Sequence, residues 1–163
     1  MVGRRGWRTG AAAALLIAAP LMAGCVLPAT PSHHGWLVHG QRATGDVASA
    51  LSTTMLTLRE EDHSRLVPNY ARVAIAQAES TAGGAASAWG DEQPPRSEQQ
   101  RASRISNTLD QANTLISQAR TALLDNDPHA CAQYCPKLQK MAAKVQKIEQ
   151  RLSADADRTT VGH

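Results

Sequence analysis

The stretch ASRISNTLDQANTLISQARTAL, residues 102–123, decides the fold. Within it Ala102, Ile105, Leu109, Ala112, Ile116, Ala119 and Leu123 recur at alternating steps of three and four without a miss. That spacing stacks the apolar side chains on one narrow stripe of an α-helix, the seam along which helices supercoil. Ser97 is placed to cap this helix. A second stripe follows from about Pro136, carried by Leu138, Met141, Val145, Ile148 and Leu152. The connection from Asp125 to Cys135 is short enough to fold the two helices back antiparallel. Each buried Leu or Ile contributes roughly 1.5–3 kcal/mol, so this hairpin is expected to be the stable centre.

Upstream the pattern is weaker but of the same kind. Asp46 can cap a first helix running to about Leu66, with Leu51, Met55 and Leu58 on one face. Pro68 ends or kinks it. An Ala-rich helix then covers about Asn69 to Trp89, with Ala71, Ile75, Ala78, Ala82, Ala85 and Trp89 in register. Gly83-Gly84 weakens that helix, and Gly90 to Arg96, with Pro94-Pro95, breaks it. The expected fold is therefore all-α, an antiparallel up-and-down bundle of about four helices over residues 46–155. Composition agrees: Phe is absent and alanine, the best helix former and a poor strand former, dominates the apolar residues. No internal repeat of 20–50 residues is present, which disfavours a solenoid. Residues 25–45, rich in Pro, His and Gly, read as a flexible tether, and residues 156–163 as a disordered tail.

The N-terminus reads as an export segment, residues 1–24. Arg4, Arg5 and Arg8 precede an apolar run from Ala11 to Ala23 that only Pro20 interrupts. As a helix this run reaches roughly 20 Å, short of the ~30 Å hydrocarbon core, so it is a signal peptide rather than a span. It ends in Leu21-Met22-Ala23-Gly24-Cys25, which resembles the lipobox of bacterial lipoprotein precursors. The match departs at Met22, where the pattern prefers Leu. The resemblance implies a diacylglyceryl group on the Cys25 thiol and cleavage just before Cys25. Acyl chains would then hold the protein on the extracytoplasmic face of the cell membrane. The other reading is an ordinary secretory signal that leaves Cys25 a free thiol. Arg4-Arg5 with Trp7 is also similar, in outline, to a twin-arginine export signal. No family resemblance attaches to residues 46–155.

Cleavage changes the charge. Of 17 Lys and Arg, Arg4, Arg5 and Arg8 precede Cys25 and no acid does, leaving 14 cations against 14 Asp and Glu. The basic whole-chain balance therefore belongs to the export segment and does not indicate nucleic acid as a partner. Few aromatic residues argue the same way, since base stacking needs them.

Cys131 and Cys135 remain as an even pair in an oxidising compartment. On an ideal helix their Cβ atoms would lie about 5–6 Å apart, wider than a disulfide prefers. Pro128 and Pro136 flank them, so irregular backbone and a disulfide stapling the helix-connecting turn are expected. Closing so short a loop contributes about 2 kcal/mol in the chain-entropy model. The rival reading is a metal-binding or thiol-redox protein using Cys131, Cys135, His129 and the tether's His33, His34 and His39. Cys-x3-Cys alone is a weak metal signal, and no cofactor is expected.

Lys137, Lys140, Lys144, Lys147 and Arg151 recur at steps of three and four, each one residue before a seam position. This basic stripe could meet anionic lipid headgroups or an acidic envelope protein. Equally, it could be a solvated flank pairing with Glu60, Glu61 and Asp62 on a neighbouring helix. Glu60-x-x-His63 is one half of a di-iron motif whose second half is missing. Asp62-His63-Ser64 cannot form a relay, because consecutive helical residues point about 100° apart. No nucleophile elbow, zinc-protease motif or phosphate loop occurs. The sequence thus points away from an enzyme and towards a membrane-anchored binding or scaffold protein that works through its helical faces.

Overall fold

The computed structural model describes residues 32–63 and 66–161. The export segment, Cys25 and the first part of the expected tether lie outside the described residues. Among the described residues four helices make the architecture: α1 His33–Asp62, α2 Pro68–Gly90, α3 Gln99–Leu124 and α4 Pro128–Val161. A 3-10 turn, Arg96–Glu98, leads into α3. The fold is an all-α bundle, with no strand among the described residues. Each helix packs on the next, and α4 closes the ring on α1. Cross-helix pairs run in opposite directions along every seam: His34 with Thr159, His39 with Glu92, Glu79 with Arg120, and Gln111 with Lys144. The topology is therefore up-and-down and antiparallel.

The stripe of α3 behaves as its spacing requires, with all seven residues from Ala102 to Leu123 buried. In α4 the seam leans to one side. Leu138, Val145 and Leu152 are fully buried, whereas Met141 and Ile148 are half-buried. The reason is the neighbour that α4 chooses. It packs more extensively against α1 than against α3, so the α3–α4 hairpin is not the centre of the molecule as the sequence suggested.

The tether expected up to residue 45 is overturned from His33 onward. Ser32 caps α1, its Oγ accepting from the Gly35 N–H at 3.1 Å. Trp36 and Leu37 are completely buried, and Gly40, Ala43, Thr44, Val47 and Ala48 continue the inward face. A three-and-four rhythm is present here, but glycine, alanine and threonine carry it. The Thr44 hydroxyl satisfies itself on the Gly40 carbonyl at 2.8 Å, so its burial leaves no orphan donor. At Gly40 a Cβ would sit 3.0 Å from the Trp89 ring and 3.2 Å from Leu152 Cδ1. Only a residue without a side chain permits α2 and α4 to approach α1 that closely. Asp46, the expected cap, is an exposed residue in mid-helix.

The connection between α3 and α4 is also tighter than expected. Asn126 adopts a left-handed conformation at φ 52°, which asparagine tolerates better than most residues. Asp127 Oδ1 then accepts from the Ala130 N–H at 2.9 Å and caps α4, with Pro128 in the first helical position. Pro136 sits inside the helix rather than before it. At the other end α4 continues through Val161 with Ala156 buried, replacing the disordered tail expected from residue 156.

Candidate functional site

Because α4 turns Leu138, Ala142, Val145 and Leu152 inward, the residues one step ahead are carried to its outer flank beside α3. Lys137, Lys140, Lys144, Lys147 and Arg151 are all exposed there. Between the two helices runs a groove of about 850 Å³, with Leu115 and Met141 on its floor. Asp110, Lys137, Lys140 and Lys144 are its charged lining. Towards the end of the bundle a second groove of about 680 Å³ continues between the same helices. Its charged residues are Arg101, Arg104, Lys147, Arg151, Asp155 and Arg158. The two grooves together present eight cations and two carboxylates. A chain that is charge-balanced from Cys25 onward has thus concentrated a surplus of six positive charges on one face.

The stripe is not neutralised locally. Among the described residues no carboxylate lies within salt-bridge distance of Lys137, Lys140, Lys144, Lys147 or Arg151. Lys144 Nζ reaches only the Gln111 amide oxygen, at 3.4 Å, and Lys137 Nζ lies 4.9 Å over the Tyr134 ring. The pairing with Glu61 and Asp62 envisaged from sequence does not form; both line a different cleft, near Cys131. Like charges at helical steps of three and four cost about 0.2–0.5 kcal/mol per pair. The mutual repulsion of the stripe therefore opposes the stability of α4, and the contacts it makes with Gln111 and Tyr134 are with neutral side chains.

Sequence reasoning missed Arg101, Arg104 and Arg158. They belong to two different helices and become neighbours only when α3 and α4 lie side by side. Arg101 Nη2 meets Asp155 Oδ2 at 2.8 Å, and Arg158 Nη1 meets Asp155 Oδ1 at 3.3 Å. The first turn of α1 is fastened to this same end. His33 Nε2 lies 3.4 Å from Glu98 Oε1, and His34 Nδ1 lies 3.0 Å from Thr159 Oγ1. Beneath them Trp36 and Trp89 pack with ring centroids 5.2 Å apart, and the Arg101 guanidinium stands 6.0 Å from the Trp36 centroid. The beginning of α1 and the arginine end of the groove are therefore one structural unit.

The cysteines lie at the opposite end. Both are free and sit one turn apart on the continuous helix α4. The expected Cys131–Cys135 disulfide is absent for the reason already given: helical backbone holds i,i+4 Cβ atoms too far apart. Cys131 borders a cleft of about 270 Å³ with Leu58, Glu61, Asp62 and Asp127. Burial pushes its thiol pKa up, reinforced by Asp127, Cys135, Asp62 and Glu61. A thiolate, the form that attacks or binds metal, is disfavoured there. His33, His34 and His39 are held near Glu98, Thr159 and Glu92, away from the cysteines, and His129 is exposed. Among the described residues no group of three His, Cys, Asp or Glu is arranged to hold a metal ion. None of their helices is long and apolar enough to cross a membrane.

Comparison with known proteins adds no lead: no family model, no curated sequence and no solved structure matches the chain.

Proposed function

We propose that this chain is a membrane-anchored extracytoplasmic lipoprotein, acylated at Cys25, whose bundle serves as a non-enzymatic binding or scaffold protein. The working surface in this reading is the α3–α4 face. The observation that carries it is the set of eight cations against two carboxylates on one face of a chain whose total charge from Cys25 onward is balanced. An extended row of like charges attracts an anionic partner; it is not the paired acid, base and nucleophile that catalysis needs. The lipobox-like run from Leu21 to Cys25 supports the anchor.

Mass spectrometry of the protein recovered from bacterial membranes tests the reading. The expected species begins at Cys25 and carries a diacylglyceryl group on sulfur. A species beginning elsewhere, or one with an unmodified Cys25 thiol, overturns the anchor. For the surface, the immobilised chain from Cys25 onward is expected to retain an anionic envelope component at low salt and release it at high salt. Salt-insensitive retention, or none, overturns the binding role.

A further inference from the structure

The anionic partner can be named by class. Resting on the reading of the α3–α4 face as a binding surface, we propose that both grooves dock on the anionic phospholipid headgroups of the bilayer. The bundle then lies side-on along the membrane. From Lys137 to Arg158 the row spans about 32 Å along α4 at 1.5 Å per residue. Every charge can reach a flat surface together only when the helix axis runs parallel to it.

The chemistry of the row favours headgroups over a protein. All three cations of the first groove are lysines, compact point charges on flexible stems, and the second groove adds Lys147 and four arginines. Lysines suit phosphates that exchange and diffuse, and the arginine fork pairs bidentately with the same phosphate oxygens. A protein interface of useful affinity centres on buried aromatic or aliphatic anchors with charge kept to the rim. The first groove has lysines along its α4 wall, Asp110 among neutral polar residues along its α3 wall, and only the half-buried Leu115 and Met141 beneath. Single-stranded nucleic acid would call for stacking aromatics, and the grooves are lined by no aromatic residue.

Placement agrees with chemistry. His34 is bonded to Thr159, the residue after Arg158 in the chain, and His33 is paired with Glu98, three residues before Arg101. Six residues, Val26 to Pro31, separate Cys25 from Ser32, so the seven Cα–Cα steps span at most about 25 Å. An acyl group on Cys25 would hold the bilayer within reach of the arginine end of the groove, and the lysines would then lay down in sequence.

The test uses the chain from Cys25 to His163 with Cys25→Ser, so that no acyl group assists. It is expected to sediment with vesicles of phosphatidylglycerol and phosphatidylcholine, to ignore vesicles of phosphatidylcholine alone, and to dissociate as salt rises. Each lysine beside an anionic surface is worth about fivefold in affinity. Lys140→Gln, Lys144→Gln and Lys147→Gln combined should therefore weaken binding by about two orders of magnitude at unchanged helicity. Arg72→Gln on α2 should leave it unchanged. Equal binding to both vesicle types, full binding by the triple variant, or tighter binding to poly-glutamate or duplex DNA at the same salt overturns the proposal. Absence of vesicle binding beside a diacylated native Cys25 removes the headgroup surface and spares the anchor. Vesicle binding beside an unmodified native Cys25 does the reverse.

Discussion

The two sides of α4 make different interfaces from one helix. Towards α1 it meets Gly40, Gly45 and a run of small residues, and the helices close until Leu152 touches the space a Cβ would fill. Towards α3 its flank carries Lys137, Lys140 and Lys144 opposite Asn107, Gln111 and Gln118, and a groove of about 850 Å³ stays open. Small residues bring backbones together and bury area; long polar ones hold the outer edges apart and keep their charges in water. Close packing and exposed charge are thus divided between the two flanks.

The sharpest way to break this comparison is to cut the packed side. Leu152→Ala removes a completely buried side chain and should cost about 2–5 kcal/mol in denaturant unfolding. Met141→Ala on the open side, where the residue is half-buried, should cost roughly 1 kcal/mol. Equal losses would mean that both flanks are packed alike.

Glycine offers a finer cut. Alanine normally stabilises a helix interior by about 1 kcal/mol over glycine. At Gly84, with nothing within 4 Å of an added Cβ, Gly84→Ala should show a gain of about 0.5–1 kcal/mol. Gly40→Ala should reverse sign and lose about 1–3 kcal/mol, because the Trp89 ring is pinned against Trp36 and cannot retreat. A stabilised Gly40→Ala protein would show that the close approach is not needed.

On the open flank, stability should barely respond. Lys144→Gln removes repulsion from Lys140 and Lys147 and should raise stability by a few tenths of a kcal/mol, an increment that disappears in high salt. A loss of 1 kcal/mol or more would show that the lysine supports the fold.

The smallest effect sits on the packed side near Cys131. Its thiol pKa is raised in the folded chain above the ordinary 9.0, so the fold holds the proton more tightly than the unfolded chain does. That contribution is complete below the ordinary thiol value and is lost as pH rises through the higher, folded one. Alkylation of Cys131 should accordingly begin at a higher pH than in a Cys131 peptide, with a slight fall in stability over the same alkaline range. Alkylation that matches the peptide would remove the buried-thiol description.

Much of the fold was legible. The seam from Ala102 to Leu123 predicted α3, and Pro68, Pro94 and Pro95 marked the breaks around α2. The stripe from Lys137 to Arg151 was legible too, because it lies on one helix at one period. What escaped was the first third of α1. There the packing residues are Gly40, Ala43 and Thr44, which carry little hydropathy, and the histidines and glycines around Trp36 resemble a linker. The Cys131–Cys135 turn was misplaced because Pro128 can open a helix as readily as it can end one. Arg101, Arg104 and Arg158 escaped for another reason: no spacing along the chain relates α3 to α4.

The sequence by itself determined that the chain folds as packed helices and that one of them bears a lysine row, since periodicity is a local property of 3.6 residues per turn. Tertiary structure alone decided which flank of α4 closes and which stays open. That choice depends on the distance between backbones, set where Gly40 meets Trp89 and Leu152, residues far apart in the chain. It also gathered arginines from two helices beside the first turn of α1, converting a periodic row into a charged face with a defined end.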